Sequence, residues 1–303
     1  MTTPQHIGFV GLGKMGFPMA SRLAAAGFAL KVYDREHRLI EQFTAEHQAI
    51  GSRSAGEAAQ GSDVIITMLP DSKAVQAAVI GLGKSDGMTT FLTPGSILVD
   101  MSSSAPLATR ELGKWLSSKG VQMLDAPVSG GVSKARDGTL AIMVGGAPEV
   151  LERCRPILAA MGGRIFHGGP LGSGHAVKAL NNMLSAAGFI AAVEVLLVGR
   201  RFGLDPKIMN DIFNASTGRN NSTENKIETY VLSRSFSSGF SLDLMLKDLD
   251  TAINLARELE VPAIFSNACR ELWAAARASL GRGSDHTDVA RWLEQLAHAR
   301  LEE

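Results

Sequence analysis

The segment GHAVKALNN, residues 174–182, sets His175, Lys178 and Asn182 at i, i+3 and i+7 of an otherwise apolar stretch. If the segment is helical, all three side chains share one face. A lysine desolvated on an apolar helix can have its pKa lowered toward working pH, and can then exchange a proton with a substrate hydroxyl. Asn182, one turn further on, can orient that amine or a substrate without adding charge. The competing reading makes Lys178 a snorkelling or salt-bridged residue and gives His175 only a packing or capping role at the helix start.

Two further segments carry groups of the same kind. In DAPVSGGVSKARDGTLAIMVGG, residues 125–146, Ser129, Gly130 and Gly131 offer a hydroxyl and backbone N–H groups unshielded by side chains, which can hold a carboxylate. Glycines that serve turn geometry alone explain the same letters, and a β-hairpin turn at Arg136, Asp137 and Gly138 fits the rest of the segment. In LMLKDLD, Lys247 can reach toward a cleft while Asp248 fixes a neighbouring group; an ordinary surface pair is the alternative.

The most specific local pattern lies near the N-terminus. In IGFVGLGKMGFPMASRLAAAGFALKVYD, Gly11, Gly13 and Gly16 form G-x-G-x-x-G after an apolar run and at the start of a helical pattern. The first glycine permits a tight turn, the second lets backbone approach a pyrophosphate, and the third allows close helix packing. The loop from Gly11 through Leu12, Gly13, Lys14 and Met15 to Gly16 is therefore the expected pyrophosphate cradle at a helix N-terminus. Asp34, 18 residues past Gly16, ends the second apolar run and suits the ribose hydroxyls of NAD. Arg35 beside it suits the 2′-phosphate of NADP instead, so NAD is expected, with NADP the alternative. Met68, Leu69 and Pro70, and the serines around Ser103, end later apolar runs where such a fold displays its ligand. Turn chemistry accounts for them nearly as well.

These groups need a scaffold. The 303 residues favour two domains, and 30 basic against 30 acidic residues give no field that would draw nucleic acid or an anionic membrane. Two isolated cysteines exclude a disulfide framework and a cysteine-based zinc site. With no secretory pattern at the N-terminus, a cytoplasmic protein is expected. Residues 186–199, AAGFIAAVEVLLVG, are too short to span a bilayer comfortably and contain Glu194, so they predict a helix buried all round. Apolar runs at 7–10, 30–34, 63–69, 96–101, 121–127 and 140–146, with a short one at 164–169, read as strands separated mostly by helices. Beyond them, 175–202, 242–260 and 263–280 follow a helical period. The prediction is an α/β Rossmann-like N-terminal domain with a mainly parallel sheet over 1–167. A long interdomain helix joins it to an all-α C-terminal domain over 168–303, whose apolar faces call for a partner subunit.

Elimination narrows the chemistry. Tyr33 and Tyr230 are followed four residues on by His37 and Arg234, so the tyrosine–lysine pair of a short-chain dehydrogenase is missing. No H-E-x-x-H, compact metal cluster or G-x-S-x-G elbow is present, and no metal is expected. A dinucleotide fold that oxidises an alcohol still needs a group for the hydroxyl proton, and Lys178 is the leading candidate.

Taken in order, GFVGLGKMGFPMA, DAPVSGG with GTLAIMVGG, GSGHAVKALNN and LMLKDLD resemble the β-hydroxyacid dehydrogenase family, in particular 3-hydroxyisobutyrate dehydrogenases and tartronate semialdehyde reductases. The resemblance spans most of residues 7–255. It implies hydride transfer between NAD and a small 3-hydroxy acid, with Lys178 catalytic and Asn182 beside it. It further implies that Ser129, Gly130 and Gly131 hold the substrate carboxylate, that Ser103 and Lys247 lie near nicotinamide and substrate, that Asp248 supports Lys247, and that the chain forms a homodimer or homotetramer. Two departures stand out. Ser103 replaces a frequent threonine while keeping the hydroxyl, and NASTGRNNSTEN (214–225) has Asn220 and Asn221 where several relatives carry tryptophan, which implies a more polar substrate end. The alternatives are an NADPH-dependent reductase of a semialdehyde such as tartronate or succinate semialdehyde, or of an imine, and a non-enzymatic dinucleotide sensor.

Overall fold

The computed structural model describes residues 6–81 and 87–302. The chain forms two compact units, Met1–Lys178 and Ala179–Glu303.

In the first unit, β1 (His6–Val10), α1 (Gly16–Ala25), β2 (Ala29–Tyr33), α2 (His37–Glu46), β3 (Ala49–Gly51), α3 (Ala55–Ala59), β4 (Val64–Thr67), α4 (Ser72–Ile80), β5 (Ile97–Asp100), α5 (Pro106–Ser117) and β6 (Gln122–Asp125) follow one another. Their strands lie in the order β3-β2-β1-β4-β5-β6, all parallel. VIIT of β4 and ILVD of β5 are buried at every position, as expected for strands covered on both faces. Alternation sends Phe9, Ile66 and Val99 to one apolar layer and Val10, Ile65 and Leu98 to the other. Because β1 pairs with β2 on one side and β4 on the other, the chain changes direction at β1, and the carboxyl ends of β1 and β4 flank a switch-point crevice.

The sheet then reverses. β7 (Val128–Ser129), α6 (Gly131–Asp137), β8 (Leu140–Gly145), α7 (Pro148–Met161) and β9 (Gly162–Gly169) complete it, with β8 antiparallel to β6 and β7 and parallel to β9. The expected hairpin turn at residues 136–138 is instead the end of a helix. Lys134 and Arg136 lie in the last turn of α6, and Gly138 closes it in the left-handed conformation (φ 71°, ψ 27°), the standard glycine stop. Short strands β3 and β7 were not expected, since three and two residues carry too little pattern to read.

Helix α8 (Ser173–Phe202) begins in the first unit and continues into the second. There α9 (Pro206–Asn214), a π-helix (Thr223–Leu232), α10 (Leu242–Glu258), α11 (Ile264–Leu280) and α12 (Val289–Ala297) pack around Phe189, Val193, Ile227, Leu249, Trp273 and Leu293. Asp205 and Ser241 cap α9 and α10 through their first-turn amides. The expectation that residues 186–199 are buried all round is corrected. Phe189, Val193 and Leu196 are buried, but Val195 and Val198 face outward, as do Leu184 (76 % exposed) and Phe202 (83 %). By length and composition α8 is apolar enough to cross a membrane, yet 56 % of its most apolar window is buried against protein.

Candidate functional site

The glycine loop after β1 is shaped by contacts that tolerate no side chain. Gly11 adopts φ +105°, and a Cβ there would stand 2.3 Å from the Met68 carbonyl oxygen at the end of β4. A Cβ on Gly16 would stand 1.8 Å from the Gly11 carbonyl, so α1 starts directly against the loop. Gly13 is the opposite case: nothing lies within 4 Å of its would-be Cβ. Gly13 and Lys14 are exposed, and N-cap Met15 supplies no side-chain cap to the first turn of α1. An exposed glycine beside an uncapped ten-residue helix fits a pyrophosphate, which such amides and the helix dipole favour. The Leu12 side chain is buried in the core.

Asp34 joins the loop to the next strand. Its Oδ2 accepts the Leu12 amide at 2.7 Å and its Oδ1 accepts the Glu36 amide at 2.8 Å. A carboxylate has about four acceptor positions, so these two bonds fix Asp34 and leave capacity for ribose hydroxyls. Arg35 beside it is exposed. Met68 and Leu69 are half-buried and Pro70 is exposed, and the Leu69 amide donates to Ser102 Oγ at 2.9 Å.

The three serines after β5 divide their tasks. Ser102 and Ser104 are buried; the Ser102 amide donates to Asp100 Oδ1 (3.0 Å) and Ser104 Oγ to Asp100 Oδ2 (2.7 Å). Ser103, between them, is half-buried, so a ligand can reach it. Ser129 is half-buried in β7, opposite Ala141, and Gly130 and Gly131 are exposed with φ of 134° and 70°.

The first turn of α8 is held by a carboxylate from another element. Asp125, fully buried at the end of β6, accepts the Gly172 amide on Oδ1 and the His175 amide on Oδ2, each at 2.7 Å. Lys178 follows half-buried, one turn along. Sequence reasoning did not find Asp125, Asp100 or Thr109 as parts of this arrangement. They are far apart in the chain, and only the register Asp100↔Asp125 brings the two carboxylates side by side.

In the second unit, Asn182 is buried and its Nδ2 donates to Asp248 Oδ2 at 2.6 Å. Lys247 Nζ lies 3.2 Å from Asp248 Oδ1. Asp248 therefore joins Asn182 to Lys247, linking a residue of GHAVKALNN to the Lys247–Asp248 pair of LMLKDLD. Asn220 accepts the Ser222 amide (2.8 Å) and the Thr223 amide (3.3 Å) on Oδ1, building the entry to the π-helix, while Asn221 is exposed.

Other chemistries find no support here. Burial pushes the Cys154 thiol up to about 12, and burial also raises that of Cys269, so both stay protonated. Among the described residues no group of three or more His, Cys, Asp or Glu side chains is arranged to hold a metal ion.

Comparison with known proteins identifies the family and the fold. Residues 6–169 match the family model described as the NAD binding domain of 6-phosphogluconate dehydrogenase, and residues 172–293 match the one described as NAD-binding of NADP-dependent 3-hydroxyisobutyrate dehydrogenase. The chain is 37 % identical over 294 residues to 2-(hydroxymethyl)glutarate dehydrogenase of Eubacterium barkeri, covering 96 % of this chain and 95 % of that one. It is 39 % identical over 259 residues to NAD-dependent L-serine dehydrogenase of Pseudomonas aeruginosa, covering 84 % and 86 %. A structure of Mycobacterium tuberculosis 3-hydroxyisobutyrate dehydrogenase with L-serine superposes with a TM-score of 0.88 at 32 % identity, covering 96 % and 99 %.

Proposed function

This chain belongs to the NAD(P)-binding dehydrogenase family of 6-phosphogluconate and 3-hydroxyisobutyrate dehydrogenases, oxidoreductases that include enzymes of small hydroxy acids, and from that premise we propose that it interconverts a small 3-hydroxy acid and its semialdehyde with NAD. The observation that carries this reading is the pairing of an open glycine loop at Gly13 with Lys178 on a helix start fixed by Asp125.

A bound nicotinamide would supply the acceptor for the hydride on the hydroxyl-bearing carbon. The loop from Gly11 to Gly16 holds the pyrophosphate, Asp34 the adenosine ribose and Ser103 the nicotinamide side. The chain's own chemistry is the proton: Lys178 takes it from the substrate hydroxyl as the C=O bond forms, and returns it in the reverse direction. Ser129, Gly130 and Gly131 bind the substrate carboxylate, and Asn182 and Lys247, held through Asp248, orient the reacting end. NAD is preferred because the fixed Asp34 carboxylate repels a 2′-phosphate. Arg35, exposed beside it, supports the second reading, an NADP(H)-linked reductase of a semialdehyde.

Apolar side chains on α8 and α11, among them Leu184, Val198, Phe202, Ile264 and Phe265, are exposed. A surface of this kind favours a homodimer or homotetramer. Light scattering on the purified protein checks this, and a monomer at micromolar concentration contradicts it.

The test of the function is a panel of 3-hydroxyisobutyrate, L-serine, 2-(hydroxymethyl)glutarate and tartronate semialdehyde with each nicotinamide, followed by absorbance of the reduced cofactor. Turnover of a 3-hydroxy acid with NAD is expected. Binding of both cofactors with no turnover of any member overturns the reading.

A further inference from the structure

His175 is a polar residue of the GHAVKALNN segment that the proposed chemistry does not use, and it sits in a buried polar cluster of the first unit. Its side chain is fully buried. Nε2 lies 3.0 Å from the Ser102 carbonyl oxygen, Nδ1 lies 2.8 Å from Thr109 Oγ1, and the ring stands between two buried carboxylates, 3.7 Å from Asp100 Oδ2 and 3.7 Å from Asp125 Oδ2. A carbonyl oxygen can only accept, so Nε2 carries a proton and donates to Ser102. In the neutral ring Nδ1 is the acceptor, and it shares the single Thr109 hydroxyl proton with the Ala105 carbonyl oxygen, 3.1 Å from the same Oγ1.

These bonds reach both sides of the candidate site. On one side the ring holds Ser102, which with Ser104 flanks Ser103, and Asp100 draws the same turn together through the Ser102 amide, Ser104 Oγ and Thr67 Oγ1 (2.9 Å). On the other side the backbone of His175 is bound to Asp125, and Lys178 is three residues further along the same helix. The two ring nitrogens of His175 are satisfied by two different elements, and its backbone amide by a third. His175 thus bridges the serine turn, α5 and the start of α8.

We propose that His175 is a positioning residue that couples the Ser102–Ser103–Ser104 turn to the helical turn carrying Lys178. The proposal rests on the assignment of Ser103 to the nicotinamide and of Lys178 to proton transfer. His175 acts through those two residues and does not itself touch substrate.

The experiment compares His175→Ala, His175→Gln, Thr109→Val and Lys178→Ala in the full chain, measuring NADH affinity by fluorescence titration, kcat and KM on the best panel substrate, and Tm. A small displacement of reacting groups costs up to about a hundredfold in rate. His175→Ala is accordingly expected to lower kcat about tenfold and to weaken NADH binding about fivefold at temperatures well below its Tm. His175→Gln, whose amide can donate to the Ser102 carbonyl, should restore NADH affinity to within about twofold. Thr109→Val should shift both quantities in the same direction as His175→Ala, but less.

A lowered Tm with wild-type kcat and NADH affinity in His175→Ala would overturn the proposal. If that variant does not fold, Thr109→Val decides by the same criterion. Failure of the underlying reading looks different: Lys178→Ala would then turn over normally.

Discussion

Asp125 and Asp248 both direct a buried carboxylate at α8, but they bind different kinds of donor. Asp125 accepts two backbone amides, those of Gly172 and His175, where the helix begins. Asp248 accepts the Asn182 side-chain amide and faces the Lys247 ammonium. The first carboxylate fixes where the helix runs; the second fixes how two side chains point. A carboxylate bound to main chain is therefore part of the fold, whereas one bound to side chains can be part of the reaction's geometry.

The largest expected effect that tests this contrast is on stability. Asp125→Asn keeps one acceptor oxygen but turns an amide N–H₂ toward the other of the two buried backbone amides, and should cost about 3 kcal/mol by urea unfolding. Asp248→Asn keeps an acceptor for Asn182 and should cost no more than about 1 kcal/mol, while lowering kcat about tenfold. Equal stability losses in the two variants would erase the distinction.

The glycine loop repeats the contrast on a smaller scale. Gly16→Ala meets the Gly11 carbonyl and should destabilise the first unit, whereas Gly13→Ala meets nothing within 4 Å. Gly13→Ala should leave Tm unchanged and, on the proposed function, weaken NADH binding about tenfold, because its methyl would occupy the space proposed for pyrophosphate. A changed Tm with unchanged binding would assign Gly13 to the fold instead.

The smallest effect comes from a second buried histidine. Unlike His175, His286 lies among Trp273, Phe189 and Phe240, and its Nε2 has no hydrogen-bond partner. Burial holds its pKa below the ordinary value, against the opposing pull of Asp285. The unfolded chain therefore takes up the proton first. The stability of the neutral ring is fully present above about pH 6.5 and is lost as pH falls from there toward the lower folded value, at up to about 1.4 kcal/mol per pH unit. Burial alone would raise the Asp285 carboxyl, but hydrogen bonds from His286, Thr287 and Ser238 hold it well below its usual range, so its contribution is lost only at still lower pH. Urea unfolding at about pH 7.5 and about pH 5.5 should show a shallower acid loss for His286→Phe than for wild type. Parallel losses would show that His286 is not the group responsible.

Residues whose meaning lies in local spacing could be read from the chain alone. The glycine loop, the strands other than β3 and β7, and the 3.6-residue period of α8, α10 and α11 are of this kind. The hub around His175 is not, because Asp100, Thr109, Asp125 and His175 meet only through sheet register and the docking of a helix start. Helix α6 was missed for a related reason: a seven-residue helix that starts on the second of two glycines reads as a turn until its left-handed stop at Gly138 is seen. The outward face of α8 was hidden because composition counts apolar residues without saying which of them a single chain covers.

The central claim is that Lys178 moves the proton while the glycine loop holds the nucleotide. Its most direct test is Lys178→Ala, with kcat on the best panel substrate and NADH affinity measured on the same preparation. The expected result is a fall in kcat of about a hundredfold or more with NADH affinity within about twofold of wild type. Undiminished turnover in that variant would contradict the account.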